Sequence, residues 1–288
     1  TICAAAKSCK TMEPLVSIST KTTAALPSDL DGAILRLKKE RNAVILSHYY
    51  QESEIQELAD FVGDSLQLAQ AAQKTQADVI LFAGVHFMAE VAKILNPSRT
   101  VLVPDLTASC SLADGCRPEQ LAAWQRKYPD HVTVSYINCS AAVKAMSDCI
   151  VTSSNAERIL RSYPPEQPIL FAPDQHLGRY LMKQTGRTGM VVYPGSCQVH
   201  EIFSERELVR LKMDHPRALV LAHPECEERV LQHAHVVGST SALIKSAVES
   251  AATELIIVTE PGVIHEMQKR APHKTFIPAP AEGGCACN

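Results

Sequence analysis

Three apolar segments of the chain end in polar residues: VILSH at 44–48, VTVSYIN at 132–138 and LVLAHPE at 219–225. Polar landmarks within them recur 88 and then 87 residues apart, at His48, Tyr136 and His223. Each landmark is followed 17 residues later by a hydroxyl in a turn of small residues, namely Ser65, Ser153 and Thr240. A helix-like stretch separates landmark from turn and is clearest at 54–61. This repeated order predicts three copies of one structural unit.

Two further sets of apolar segments repeat in step with the first. One set occupies 78–82, 168–171 and 255–258, and each member precedes a helix-like segment. The other occupies 101–104, 191–194 and 276–278, and cysteines follow each member: Cys110, Cys197 and the pair Cys285 and Cys287. Strands that alternate with helices predict parallel sheets covered by helices on both faces. We therefore predict an α/β fold of three similar parallel-sheet units around a pseudo-threefold axis, with the active site at the centre, beyond the strand ends.

The repeat also predicts how the chain is divided. Residues 1–27 are polar and weakly periodic, and we expect them to form a flexible lead outside the fold. The first unit is predicted at 28–114, with a connecting helix to about 130, and the second at 131–201, with a connecting helix to about 216. The third unit is predicted at 217–288.

Composition narrows the class of protein. The chain has 288 residues, of which 46% are hydrophobic and 20% charged, as expected for a globular protein with a core. Its net charge of −3 gives no reason to expect nucleic acid or an anionic membrane surface as a partner. The sequence shows neither an apolar run of transmembrane length nor a secretory signal, so we expect a cytoplasmic protein. Ten cysteines in such a chain favour reduced thiols for metal binding or catalysis over disulfides.

The three hydroxyl turns have two interpretations. Turns at helix starts expose backbone N–H groups at the positive end of the helix dipole, where phosphate or carboxylate can bind. Ser, Thr and Asp are also the ordinary N-caps of any helix. Three such turns in register favour anion binding.

Cysteines from three separate units indicate a metal centre. Cys110 and Cys197 have no CxxC partner, which argues against a structural zinc site. An iron–sulfur cluster held by three thiolates leaves one iron open to act as a Lewis acid. Cys116 competes with Cys110 for the first position, and the repeat does not choose between them.

Histidines and one carboxylate supply candidates for proton transfer. His48 and His200 lie near a strand end or beside a cysteine. His223 and Glu225 are two residues apart and would share a face on a strand, where a His–carboxylate pair can move protons. Alternatively, Glu225 caps a helix that starts near Glu227.

Ten ordered motifs extend this pattern over nearly the whole chain. They are SHYYQ (47–51), GDS (63–65), FAGVHFM (82–88), DLTASCSLAD (105–114), SYINCS (135–140), TSSN (152–155), FAPD (171–174), GSCQVH (195–200), AHPE (222–225) and GST (238–240). With these motifs the chain resembles the quinolinate synthase family, and most closely its cyanobacterial-type branch.

The resemblance implies three similar α/β domains around a central site. It implies condensation of iminoaspartate with dihydroxyacetone phosphate to quinolinate, phosphate and water, in the de novo synthesis of NAD. The implied cofactor is a four-iron four-sulfur (4Fe-4S) cluster on three cysteines with the fourth iron open to substrate. Cys110 and Cys197 match two of these ligands, which selects Cys110 over Cys116. A functional association with L-aspartate oxidase is also implied.

The resemblance also assigns site residues. Matching catalytic positions are His48, Tyr50, Tyr136, Asn138, His200, His223 and Glu225. Matching substrate-binding positions are His48, Asp64, Ser65, Tyr136, Asn138, Ser153, His223, Glu225, Ser239 and Thr240. The family's third ligand belongs to a Cys-Pro pair expected just past Asn288, so the third unit is expected to be incomplete, with Cys287 or Cys285 as weak substitutes.

Two other functions fit the same thiols. An iron–sulfur hydro-lyase that dehydrates a hydroxy acid also needs an open iron, but it needs no phosphate-binding site. A redox or metal sensor would use Cys285 and Cys287 as its switch and would show no turnover.

Overall fold

The structure is a computed structural model, and it describes residues 26–281 of the 288. The predicted lead at 1–27 therefore falls almost wholly outside the described residues, as do Cys285 and Cys287.

Strands and helices alternate along the described chain. The first repeat contains α1 (Leu30–Glu40), β1 (Ala43–His48), α2 (Ser53–Leu58), β2 (Phe61–Gly63), α3 (Ser65–Lys74), β3 (Val79–Ala83), α4 (His86–Leu95) and β4 (Thr100–Leu102), followed by α5 (Ser111–Gly115) and α6 (Pro118–Lys127). The second contains β5 (Val132–Tyr136), α7 (Ala141–Met146), β6 (Cys149–Val151), α8 (Ala156–Ser162), β7 (Ile169–Ala172), α9 (Gln175–Thr185) and β8 (Met190–Val192), followed by α10 (Gln198–Glu201) and α11 (Glu205–Asp214). The third contains β9 (Leu219–Ala222), α12 (Glu228–Leu231), β10 (Val236–Val237), α13 (Thr240–Glu249), β11 (Glu254–Val258), α14 (Val263–Arg270) and β12 (Thr275–Pro278).

The strands form three four-stranded sheets of one topology. Their orders are β2-β1-β3-β4, β6-β5-β7-β8 and β10-β9-β11-β12, and neighbouring strands are parallel. The predicted α/β class is thereby confirmed, and the shared strand order is consistent with three similar units. The pseudo-threefold axis and the exact unit boundaries stay predictions.

The central strands are apolar because they are covered on both faces. All four residues of β7 are buried, as are the last four of β11. Strands buried in this way carry continuous Val, Ile and Leu runs rather than alternating patterns. This is why the sequence predicted these strands correctly.

The sequence did not predict the short edge strands β2, β6 and β10. The helix predicted over 54–61 ends at Leu58, and Phe61 begins β2. Asp60 redirects the chain: its N–H donates to the Ile45 carbonyl at 2.9 Å, and its carboxylate accepts the Ile45 N–H at 2.8 Å. A strand of three residues is too short to show a period of its own.

The same two-way link recurs in the other sheets. The Asp148 N–H donates to the Thr133 carbonyl at 2.9 Å, and the Asp148 carboxylate accepts the Thr133 N–H at 3.0 Å. Likewise, the His235 N–H donates to the Val220 carbonyl and His235 Nδ1 accepts the Val220 N–H, both at 2.9 Å. These polar residues therefore repeat the 88- and 87-residue spacing of the landmarks, since they stand at 60, 148 and 235.

Among the described residues, no helix is both long and apolar enough to span a membrane.

Candidate active site

The carboxyl ends of the three sheets supply the walls of one cavity of about 100 Å³. The cavity is bordered by all but one of the residues predicted for the site: His48, Tyr50, Asp64, Ser65, Cys110, Tyr136, Asn138, Ser153, Cys197, His200, His223, Glu225 and Thr240. The exception is Ser239, which accepts a hydrogen bond from the Ala242 N–H and caps helix α13. Residues far apart in the chain thus come together because parallel strands end at one edge of their sheet.

Glu225 lies at the centre of a buried polar cluster. Its Oε1 accepts a hydrogen bond from the Tyr136 hydroxyl at 2.6 Å, and its Oε2 lies 3.0 Å from His200 Nδ1. Its Oε1 is also 3.8 Å from His223 Nδ1. Burial alone would raise the pKa of Glu225, but His223, His200 and the Tyr136 hydroxyl outweigh it and hold the pKa well below its usual range. Glu225 is therefore an ionised carboxylate beside two imidazoles.

The local geometry of Glu225 differs from both sequence interpretations. Strand β9 ends at Ala222, so His223 and Glu225 lie in a turn and do not share a strand face. In that turn the Glu225 N–H donates to His223 Nδ1 at 3.4 Å. Helix α12 begins at Glu228 with Glu227 at its cap position, so the capping role suggested for Glu225 is wrong. Pro224 prevents the strand from continuing.

His48 and His223 are neutral imidazoles. Burial lowers the pKa of His48 to about 4 and the pKa of His223 to about 3, more than the nearby carboxylates raise them. Nδ1 of His48 accepts the Tyr50 N–H at 3.2 Å, as Nδ1 of His223 accepts that of Glu225. Each ring therefore carries its proton on Nε2, where it can donate a hydrogen bond.

A chain of hydroxyls connects the first and third repeats. The Tyr50 hydroxyl lies 3.0 Å from Thr240 Oγ1 and 2.9 Å from Thr259 Oγ1. Thr259 Oγ1 is also 2.9 Å from His200 Nε2. Sequence reasoning missed Thr259, although it directly follows β11, where polar residues are a signal in parallel sheets.

Cys110 and Cys197 both stand at helix starts on the cavity wall. They hold the cap positions of α5 and α10. The loop before Cys197 is fixed against the start of α9, since the Gln175 N–H donates to the Gly195 carbonyl at 2.8 Å. A Cβ at Gly195 would lie 2.5 Å from the Pro173 carbonyl oxygen, so only glycine permits this approach.

Cys116 does not border the cavity. It is fully buried in a separate apolar cluster with Leu121 and Cys139, and burial raises its pKa to about 12. This placement favours Cys110 over Cys116 as a ligand.

The thiol of Cys197 fits a site for a cationic metal centre. Burial raises its pKa well above the usual range, and the charge of Glu225 raises it further. Its Sγ lies 3.2 Å from His200 Nδ1. Ligand atoms of Cys197, His200 and Glu225 all lie within 4.8 Å of one another. A metal centre would stabilise the thiolate that burial disfavours.

Asn138 adds a further polar group to the same wall. Its Oδ1 is buried without a hydrogen-bond partner among the described residues, while its Nδ2 is 4.0 Å from Cys110 Sγ. A buried acceptor that lacks a donor is costly, which indicates that a bound group completes this site.

The three hydroxyl turns meet at Asp64. Its Oδ1 caps α3 through the N–H groups of Leu66 and Gln67. Its Oδ2 accepts hydrogen bonds from Ser154 Oγ at 2.9 Å and Ser241 Oγ at 2.5 Å. Sequence reasoning missed both serines, although each directly follows a predicted hydroxyl. Since Asp64 and Ser239 are the caps, the hydroxyls of Ser65 and Thr240 are not needed for capping.

We predict that Asp64→Ala lowers the free energy of unfolding by roughly 2–4 kcal/mol. Hydrogen bonds to a charged group contribute about 1.5–3 kcal/mol each, and a cap about 1 kcal/mol. Denaturant titration measures the loss. Asp29→Ala is the control, because Asp29 is an exposed cap whose side chain accepts the Gly32 N–H and otherwise has a 3.7 Å surface ion pair with Arg36. Equal losses in the two variants would show that the serine bonds to Asp64 add no stability.

Comparison with known proteins extends over nearly the whole chain. The model of the family described as "Quinolinate synthetase A protein" matches residues 32–288. "Quinolinate synthase" of Nostoc punctiforme is 64% identical over 263 residues, which cover 91% of this chain and 81% of that protein. The protein of the same name from Trichodesmium erythraeum is 60% identical over 264 residues, with coverage of 92% and 81%. A solved E-1-hydroxy-2-methyl-but-2-enyl-4-diphosphate reductase from Plasmodium falciparum shares 8% identity over 88% of each chain at a TM-score of 0.34, too low to inform the fold.

Proposed function

The chain belongs to the quinolinate synthase family, and we propose that its central cavity condenses iminoaspartate with dihydroxyacetone phosphate to give quinolinate, phosphate and water. The observation that carries this proposal is the ionised Glu225, held between Tyr136, His200 and His223 on the wall of a cavity that all three sheets help to form. The activity belongs to NAD biosynthesis, and we place it in the cytoplasm. The unstable imine would come from a functionally associated L-aspartate oxidase.

The cavity wall suits a 4Fe-4S cluster. Cys110 and Cys197 would supply two of its thiolates, and the third predicted ligand lies outside the described residues. The ligand atoms of Cys197, His200 and Glu225, which lie within 4.8 Å of one another, support a bound metal centre at this wall. When bound, the cluster supplies an open iron that acts as a Lewis acid toward a substrate oxygen.

The chain's own groups would move the protons. Ring closure removes protons from carbon, and Glu225 is the ionised carboxylate on the cavity wall best placed to accept one. His200 and the Tyr136 hydroxyl orient that carboxylate by direct hydrogen bonds. Burial raises the pKa of Tyr136 well above its usual range, so its hydroxyl keeps its proton and acts as a donor.

The hydroxyl turns would bind the anionic ends of the substrates. Ser65→Ala, Ser153→Ala and Thr240→Ala should each weaken substrate binding about tenfold or more, because a hydrogen bond to an anion contributes roughly 1.5–3 kcal/mol. Isothermal titration with quinolinate and with dihydroxyacetone phosphate measures the effect. Ser140→Ala is the control: Ser140 caps α7, away from the cavity, so its loss should cost stability but no affinity. Unchanged affinity in all three test variants would refute anion binding by the turns.

Anaerobic reconstitution of the natural full-length protein with iron and sulfide tests the function as a whole. Quinolinate should form only when iminoaspartate and dihydroxyacetone phosphate are both supplied. Dehydration of a hydroxy acid without the triose phosphate would instead identify a hydro-lyase. A cluster spectrum that responds to oxygen without any turnover would identify a sensor.

A further inference from the structure

The cavity presents an unusual charge pattern for a site that receives anions. Asp64, Glu225 and Glu260 line it, whereas no lysine or arginine between residues 26 and 281 does so. The substrates and product of the proposed function carry carboxylates or phosphate. Neutral hydrogen-bond donors must therefore bind these anionic groups. Each carboxylate of the wall must in turn be protonated or hydrogen-bonded to other protein groups, so that it does not repel the ligand.

Two of the three carboxylates are already engaged. Asp64 accepts four hydrogen bonds, from two N–H groups of α3 and from Ser154 and Ser241. Glu225 is held by Tyr136 and His200. Glu260 differs, because the Gly262 N–H, at 2.7 Å from its Oε2, is the one hydrogen-bond partner the described structure gives it.

Glu260 is held firmly at this position. It follows Thr259 at the end of β11 and is only 7% exposed. A Cβ on Gly262 would lie 2.8 Å from Glu260 Oε2 and 2.9 Å from the Tyr50 carbonyl carbon, so the two loops meet with no room for a side chain.

Gln56 fastens the two loops together. Its Nε2 donates to the Gly262 carbonyl at 3.1 Å and to the Gln51 carbonyl at 2.7 Å. The Gly262 backbone that donates to Glu260 is therefore itself anchored to the loop that carries Tyr50.

A buried carboxylate that has one hydrogen bond and no neighbouring cation is poorly stabilised as an anion, so it tends to stay protonated. Burial raises the pKa of Glu260 to about 7; the Gly262 hydrogen bond opposes this shift, and the negative charge of Glu52 adds to it. Tyr50, the other titratable group packed against this loop, has a pKa raised by burial and stays neutral. No cation faces Glu260 in the described cavity wall.

We propose that Glu260 recognises the anionic ligand as a neutral carboxylic acid, whose O–H donates a hydrogen bond to a ligand carboxylate. This inference rests on the proposed function, which brings a dicarboxylate to this cavity. Binding then requires the protonated acid, so the ligand binds together with one proton. As pH rises through about 7, Glu260 ionises, the donor is lost, and two like charges face each other.

Three other titratable groups of the wall do not change their charge in this range. His48 and His223, with pKa values of about 4 and 3, are neutral above pH 6, and Glu225 is ionised throughout. Quinolinate is a suitable probe because both its carboxylates stay ionised between pH 6 and pH 8.5.

The test is anaerobic titration of the cluster-loaded full-length protein with quinolinate at pH 6.0 and pH 8.5. Wild-type affinity should fall by at least about tenfold, because a group with a pKa of about 7 is only about 3% protonated at pH 8.5. Glu260→Gln keeps a neutral donor at all pH values. Its affinity should match wild type within about threefold at pH 6.0 and stay nearly constant to pH 8.5.

Two further variants distinguish an effect of Glu260 protonation on affinity from an effect of its side-chain packing. Glu260→Asp keeps an acid and should keep the pH dependence. Glu52→Gln removes the exposed neighbouring charge and should move the midpoint of the pH dependence to lower pH without abolishing it. A pH-independent wild-type affinity, or a Glu260→Gln variant with the wild-type pH dependence, would overturn the role of Glu260 and leave the proposed function intact. No binding of quinolinate at either pH would overturn both.

Discussion

Replacement of Glu225 by Gln is expected to lower the rate of quinolinate formation by roughly 10²–10⁴-fold, the usual contribution of general acid–base catalysis. The amide keeps the shape of the side chain, and its oxygen can still accept the Tyr136 hydroxyl. It cannot accept a proton from carbon, and it removes the charge that faces His200 and His223. Turnover is measured on anaerobic, cluster-loaded protein, together with the melting temperature and the cluster spectrum, which should both be near wild type.

Glu201→Gln is the matched control for this experiment. Glu201 is also paired with a histidine, with its Oε1 at 3.3 Å from His176 Nε2, but it does not border the cavity. Its replacement should leave turnover unchanged. Wild-type-like turnover of Glu225→Gln with a confirmed cluster would remove Glu225 from the mechanism and transfer the role of base to His200 or His223.

The second large effect concerns the thiols. Cys110→Ala and Cys197→Ala should each lower the bound iron and sulfide to background after anaerobic reconstitution, because a thiolate ligand is lost. Cys116→Ala should retain the cluster, since Cys116 is buried in an apolar cluster away from the cavity. Iron and acid-labile sulfide analysis decides the matter.

Cys139→Ala and Cys149→Ala serve as additional controls and should also retain the cluster, because neither residue borders the cavity. A Cys116→Ala protein without a cluster, alongside a Cys110→Ala protein that keeps one, would reverse the assignment.

The fold was predictable from the sequence where burial imposes a simple pattern. Central strands such as β7 are apolar throughout because helices cover both faces, and the family predicted from the motifs is confirmed by the relatives. The short strands β2, β6 and β10 were not predictable, because two or three residues carry no periodicity. They are fixed instead by side chains such as Asp60, whose role depends on a partner 15 residues away.

The site was predictable to the extent that strand ends and motifs mark it. Positions such as His48 and Tyr136 end their strands, and they border the cavity as expected. The turn at Glu225 and the junction of Ser154 and Ser241 at Asp64 depend on how the sheets meet, which no local pattern encodes. Glu260 was missed for the same reason, because its environment comes from the loop around Tyr50.

The junction at Asp64 also bears on the order of folding. Its bonds to Ser154 and Ser241 span 90 and 177 residues of the chain, whereas β1 and β2 pair across fewer than 20. Contacts between distant parts of a chain form late, because the entropy of closing long loops opposes them until much structure exists. We therefore expect each sheet to form before the cavity does, with the junction at Asp64 among the last contacts to form.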